Sequence, residues 1–155
     1  MCIAVFLWEA HPLYPFLLLL NRDEFYSRET KHVGWWGEGE CKVLGGRDEV
    51  GEGTWLGCNR HGKIAFLTNV RQKPSDQIPT RRSRGHLPLR FLQGNRSPAE
   101  FAAEVAREAA EYNGFNLVLV DVCSRSMVYV TNSGGGECLA TEVPAGLHVL
   151  SNASL

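Results

Sequence analysis

Cys2 is the first residue of this chain that could do chemistry, because it follows the initiator Met1 directly. A residue as small as cysteine normally permits removal of that methionine. Removal leaves a thiol and a free α-amine on one residue. The amine titrates at about 7.7–8.0, close to what a general base needs near neutral pH. A terminal cysteine can therefore be nucleophile and base together, without a catalytic histidine. The plainer alternative, a small apolar residue opening a strand, is the commoner case on position alone.

Asn21-Arg22-Asp23-Glu24 places four strong polar groups directly after the apolar run Phe16–Leu20. Charged groups are costly to bury without partners. The block therefore occupies either a solvated strand end or a polar network. In a hairpin it would return near Cys2, where Arg22 could lower the thiol pKa and Asp23 could orient the amine. A solvated turn with salt bridges accounts for it about equally well. Asn69 and Asn152 each follow a strand and a hydroxyl residue, in Leu67-Thr68-Asn69 and Leu150-Ser151-Asn152. A side-chain amide there can donate to a developing oxyanion, although an ordinary turn asparagine explains either residue alone. Arg81, Arg82, Arg84 and His86 form a basic cluster that could grip a phosphate or carboxylate, or simply line a solvated loop. His61 and His86 are conceivable haem ligands, and the Trp35-Trp36 pair could flank an apolar ligand or cap the core. No metal site is expected.

The elements that must position these groups are mostly strands. Cys2–Trp8 and Phe16–Leu20 read as two strands of a hairpin. The second lacks polar alternation, which suits a strand buried on both faces. Gly34 to Gly53 reads as loops around one short strand, Lys42–Leu44. Thr54–Cys58 and Lys63–Leu67 flank Asn59-Arg60-His61-Gly62, a hairpin in which Gly62 can take positive φ. Gln72–Arg84 is a loop, and a short helix is expected around His86–Leu92. Ser97, Pro98 and Glu100 announce the next helix with a capping box, and Phe101, Val105 and Ala109 give it one apolar face. Tyr112-Asn113-Gly114 ends it. Phe115–Val122, Met127–Thr131 and Leu147–Leu150 read as strands, with a loop at Gly134–Gly136. Strands, then helices, then strands argue for an α+β fold. Leu147–Leu155 reads as a strand running into a functional turn, the pattern of a truncated product or short isoform.

Composition narrows the class. A chain of 155 residues suits one domain, spanning 1–155, and 44% hydrophobic against 21% charged residues suits a globular core. The formal net charge of −1 does not point to nucleic acid. Five cysteines, none in C-x-x-C spacing, fit a reducing compartment. Glu9, His11 and Pro12 interrupt the N-terminal apolar run, which makes a poor signal peptide, and no membrane-length apolar stretch follows. A cytosolic or peripheral protein is expected.

Taken together, Met1-Cys2-Ile3, Asn21 through Arg28, Gly53-Thr54-Trp55-Leu56-Gly57, Leu67-Thr68-Asn69, Tyr112 through Leu117 and Leu150-Ser151-Asn152-Ala153 resemble the transport-and-Golgi-organisation family that carries the NRDE signature. The resemblance implies an N-terminal-nucleophile hydrolase-like αββα sandwich of antiparallel sheets, incomplete in this chain because family members are longer. It is similar more loosely to cysteine amidases, which implies Cys2 as nucleophile, Arg22 and Asp23 beside it and Asn152 at the oxyanion. Asn21, Glu24, Asn69, Arg82 and Arg84 are the expected ligand contacts. The family is linked to Golgi organisation and secretion, to lipid and acyl-CoA homeostasis and to haem trafficking, in cytoplasm, mitochondrion and Golgi apparatus.

The first expectation is therefore a factor in Golgi traffic that handles lipid, acyl-CoA or haem. The alternative is a cysteine hydrolase cleaving an amide or thioester through Cys2, and a scaffold with a merely structural Cys2 ranks third. No cofactor is required, while haem or acyl-CoA would be a ligand. The expected partner is a small amphipathic ligand, with peripheral membrane association and, if truncated, self-association.

Overall fold

Buried and unburied side chains alternate along the first strand, so that Ala4, Phe6 and Trp8 face inward while Ile3, Val5 and Leu7 do not. That period of two defines a sheet covered on one side. The computed structural model describes residues 2–39, 42–70, 72, 77–132, 138–153 and 155. Its strands are β1 (Ile3–Trp8), β2 (Phe16–Asn21), β3 (Thr30–Trp36), β4 (Val43–Asp48), β5 (Leu56–Cys58), β6 (Lys63–Asn69), β7 (Phe115–Asp121), β8 (Ser126–Thr131), β9 (Leu139–Glu142) and β10 (Gly146–Leu150). Helices α1 (His86–Gln93) and α2 (Pro98–Glu108) lie between β6 and β7, and a single 3-10 turn at Ala109–Glu111 follows α2.

Two antiparallel sheets result. The small one has the order β10-β1-β2, and the large one runs β3-β4-β5-β6-β7-β8-β9. Phe6, Trp8 and Leu150 of the small sheet meet Phe66, Val118, Val120 and Met127 of the large one in a core between the sheets. The other face of the large sheet carries the helices, with Leu87, Phe91, Phe101 and Val105 on Leu67, Leu117, Leu119 and Val130. The layers are thus sheet, sheet, helix. Among the described residues no helix covers the outer face of the small sheet.

Local signals account for the best-defined elements. The Ser97 hydroxyl accepts from the Glu100 N–H at 3.3 Å, and the Glu100 carboxylate accepts from the Ser97 N–H at 2.9 Å, closing the capping box of α2. In the β5–β6 turn Gly62 adopts φ +83, and the Asn59 side chain accepts from the N–H groups of His61 and Lys63. Two strands depart from the sequence reading. Thr30–Trp36 and Leu139–Glu142 are sheet edges whose residues are mostly exposed, so they carry little apolar pattern. The expected strand at Lys42–Leu44 extends to Asp48 through Gly45 and Gly46, with Gly45 in register with Gly57 of β5 and with Gly34 of β3. The expected Gly134–Gly136 loop lies outside the described residues.

β2 is also a correction. It is half-buried on one face only, since Leu19 is 68% exposed, and on β10 Leu147 and Val149 are 66% and 52% exposed. The missing polar alternation therefore marks an apolar outer face of the small sheet rather than a strand enclosed on both sides. Contiguous apolar surface of this kind drives association. The chain should elute from size exclusion above monomer size, and Leu19→Lys with Val149→Lys should return it toward monomer. A stable monomer of the unsubstituted chain would contradict this.

Candidate functional site

The register of the small sheet brings the Cys2 end of β1 to the Arg22 end of β2. β1 and β2 pair Ile3 with Asn21, and β1 and β10 pair Ala4 with Leu150. Arg22 directly follows Asn21 and lines one cavity with Cys2, and Asn152 lies in the turn two residues beyond Leu150. Cys2 continues the inward row of Ala4, Phe6 and Trp8, so the thiol enters the end of the layer between the sheets. There Sγ accepts from the Asp23 N–H at 3.4 Å, and the thiol lies 3.8 Å from the Asp23 carbonyl oxygen. Burial pushes the thiol above its ordinary pKa, and Arg22 works in the opposite direction.

Cys2 opens into a cavity of about 280 Å³. Of the nine residues expected at a site, Arg22, Asp23, Glu24, Asn69, Arg82 and Arg84 join Cys2 in lining it. Asn21 does not: it continues the exposed row of Leu17 and Leu19 on the outer face of β2. Asn152 lies behind the lining, where its Nδ2 donates to the Asn69 backbone carbonyl while its Oδ1 is buried without a partner. A side-chain amide has two N–H groups, so one donor of Asn152 remains for another acceptor. His61 and His86 are not brought together here. His61 belongs to the β5–β6 turn and His86 opens α1. Trp36 donates to the Gly45 carbonyl oxygen and Trp35 carries Arg60 over its ring, so the pair serves the β3 edge.

The cavity is electropositive. Five of its lining residues are arginines, Arg22, Arg28, Arg81, Arg82 and Arg84, against the carboxylates Asp23, Glu24 and Asp48. Arg28 donates twice to Asp48, at 2.9 and 2.7 Å, and the other oxygen of Asp48 accepts from the N–H groups of Val50 and Gly51. Burial would raise the Asp48 pKa, but these donors together hold it below the ordinary 3.8. Arg82 is drawn outward to Glu108 and Glu111. Arg81 and Arg84 are anchored on the backbone carbonyls of Tyr112 and Gly114. Burial opposes the charge of Arg84, with Glu24 partly offsetting it. Arg22 lies 4.1 Å over the Trp55 ring and only 3.9 Å from Glu24. A guanidinium held by neutral carbonyls or an aromatic face keeps donors for an incoming anion.

A fully buried asparagine holds this site together. Asn116 donates to the Thr68 hydroxyl at 3.2 Å, to the Ser151 carbonyl at 3.3 Å and to the Ala153 carbonyl at 3.2 Å. Its Oδ1 accepts from Tyr129 at 2.7 Å and Thr131 at 2.8 Å. Both ends of the amide are thus used, and the turn carrying Asn152 is tied to the middle of the large sheet. The sequence reading quoted Asn116 inside a motif without giving it a role, and it gave Arg28, Asp48 and Trp55 none either. For Asn116 the available signal was a lone amide at the head of an otherwise apolar strand.

A two-sheet α+β protein with a cysteine at the second position, facing an arginine-rich cavity, is the class that fold and site define. The chain belongs to the family described as Transport and Golgi organisation 2, whose model matches residues 1–155. It is 36% identical over its whole length to the mouse Transport and Golgi organization 2 homolog and to the human Transport and Golgi organization protein 2 homolog, covering 58% of each. Against the Drosophila melanogaster Transport and Golgi organization protein 2 it is 28% identical over 81% of the chain and 48% of that protein. The chain therefore spans a little over half the length of the mouse and human relatives. Penicillin V acylase from Agrobacterium tumefaciens aligns with 97% of the chain and 44% of its own, at a TM-score of 0.41 and 14% identity.

Asn116→Leu removes a donor from Ser151 and Ala153 and an acceptor from Tyr129 and Thr131. Each buried group left unpaired costs about 1–3 kcal/mol, so urea unfolding should report a loss of about 3 kcal/mol or more. An unchanged midpoint would contradict the clamp. The Asp48 contribution has the opposite sign to that of a raised group: it is present above pH 3.8 and is lost as pH falls through the lower folded value. Asp48→Asn should flatten the stability–pH curve in that acid window, as read by thermal melts. A curve of unaltered shape would dismiss the pairing as a pH-sensitive element.

Proposed function

We propose that this chain carries the nucleophile of a hydrolase cleaving an amide or thioester, and that it serves transport and Golgi organisation, the words printed in the names of its relatives. The observation that carries the reading is the thiol of Cys2, held on the backbone of Asp23 and opening beside Arg22 into a cavity rich in arginine. With Met1 removed, the α-amine of Cys2 takes the thiol proton as Sγ forms a bond to the substrate carbonyl carbon. A thiol raised by burial needs such a base at neutral pH. Asn152 is the donor for the oxyanion once its amide turns from the Asn69 carbonyl toward the cavity. Collapse breaks the bond to the leaving amine or thiol, which departs with the proton from the α-ammonium. Water, deprotonated by the same amine, then releases the acid and restores Cys2. Arg84, with Arg81 beside it, binds an anionic group on the substrate, and Asp23 fixes the nucleophile through its backbone.

A second reading keeps the site for binding only, as a carrier of acyl-CoA or haem. It is favoured by the protonated resting thiol and by the engagement of the Asn152 amide with Asn69. Cytoplasm, mitochondrion and Golgi surface all suit it. No helix among the described residues is long and apolar enough to cross a membrane.

The test is turnover of acyl-CoA thioesters and acyl amides by Met1-free protein and by Cys2→Ala. Hydrolysis is expected only with Cys2 present, and Arg84→Ala should raise KM for anionic substrates more than it lowers kcat. Turnover by Cys2→Ala would overturn the hydrolase. Binding of haem or palmitoyl-CoA that survives Cys2→Ala, with no turnover by either protein, would establish the carrier instead.

A further inference from the structure

Lys63 is only 7% exposed, and a lysine is rarely buried without a charged partner. It continues the row of Ala65 and Leu67 on the helix-bearing face of the large sheet. Asp121 stands directly across from it on β7, and opposite charges so placed ordinarily bond across the strands. Here the two side chains part. The Lys63 ammonium reaches to the end of α1, where it donates to the carbonyl oxygens of Gly94 and Arg96 at 2.7 Å each and lies 4.8 Å from the Phe91 ring centroid. The Asp121 carboxylate turns to the β7–β8 turn, and its Oδ1 accepts from the N–H groups of Cys123 and Ser124. Among the described residues no carboxylate forms an ion pair with Lys63. Burial works against its charge, and Asp121 and Glu100 support that charge only from a distance. A cavity of about 500 Å³ opens here, with Lys63 and Asp121 both in its lining.

We infer that this cavity binds a short amino acid as its zwitterion, with the carboxylate on Lys63 and the ammonium on Asp121. A lysine ammonium has three N–H groups, and two of those on Lys63 are taken. The Asp121 Oδ2 makes no hydrogen bond among the described residues. Each side chain therefore keeps one strong position for a ligand, and the two positions are opposite in sign. A plain anion would be repelled by Asp121 and a plain cation by Lys63, so a ligand carrying both charges satisfies them together. The rest of the lining suits a small polar molecule: Asn59, His61, Gln93 and Asn95 are polar, and Leu92 is the one apolar side chain among the described lining residues. Asn59 is fixed in place, since its Nδ2 donates to the Leu92 carbonyl oxygen and its Oδ1 accepts from the N–H groups of His61 and Lys63. This site is independent of the chemistry at Cys2. β6 runs between the two cavities, with Lys63 in one and Asn69 in the other, about 20 Å apart along the strand.

Amide chemical shifts of the isotope-labelled chain, titrated with glycine, 4-aminobutyrate, acetate or methylamine at matched ionic strength, test the assignment. At least one of the two zwitterions should give saturating shifts at His61, Lys63 and Asn95, while acetate and methylamine should not. Asp121→Asn removes the charge but keeps an acceptor for the N–H groups of Cys123 and Ser124. In protein whose circular dichroism is unchanged, it should weaken zwitterion binding about tenfold and allow acetate to bind. Absence of saturation with both zwitterions would overturn the assignment. So would acetate binding the unsubstituted chain as tightly as the zwitterions do, or affinities that Asp121→Asn leaves unaltered. Shifts confined to Asp23 and Asn69 would put the ligand in the Cys2 cavity and overturn it equally.

Discussion

Asn116 has no exposed surface, and its amide is shared among Thr68, Tyr129, Thr131 and the backbone at Ser151 and Ala153. A primary amide buried between two sheets is tolerable only when both its ends are satisfied. Here that requirement fixes how the sheets align. The large sheet supplies the amide, and β10 of the small sheet supplies the carbonyls just beyond Leu150. Because β10 also pairs with β1, the same bonds set where the turn carrying Asn152 lies relative to the small sheet. Sliding either sheet would strand several polar groups at once, so the geometry of the site follows from the polar satisfaction of the core.

Around that clamp the charges are arranged unequally. Asp48 pairs with Arg28 through two donors and Glu24 lies 3.9 Å from Arg22, while Arg81 and Arg84 lean on backbone carbonyls and Arg22 also on an indole face. Neutral partners position a guanidinium without cancelling its charge. The cavity therefore presents guanidinium donors that its own carboxylates leave partly unmatched. Trp55 then marks the border beyond which the lining turns apolar.

How much of this could be read in the sequence depends on how local the signal was. The capping box of α2, the Gly62 turn and β1 were legible, because each is decided by a few adjacent residues. The meeting of Cys2 with the Arg22–Glu24 block followed from one hairpin. β3 and β9 were not legible, since edge strands carry polar residues and little periodicity. β2 was misread as enclosed, because an apolar outer face looks in sequence like a strand between two layers. Asn21 followed the block into the prediction, although the two-residue period of β2 sends it to the opposite face from Arg22. Arg28 and Asp48 lie twenty residues apart, and only the β3–β4 pairing joins them.

The central claim is that Cys2 is a nucleophile presented by the register of the small sheet. Intact-mass spectrometry, after brief incubation of the Met1-free chain with palmitoyl-CoA and rapid acid quench, tests it most directly. The account predicts a gain of one palmitoyl mass, localised to Cys2 by fragmentation and absent from Cys2→Ala. Acylation spread over Cys58 and Cys123, or a chain that stays unmodified while its substrate is consumed, would contradict it.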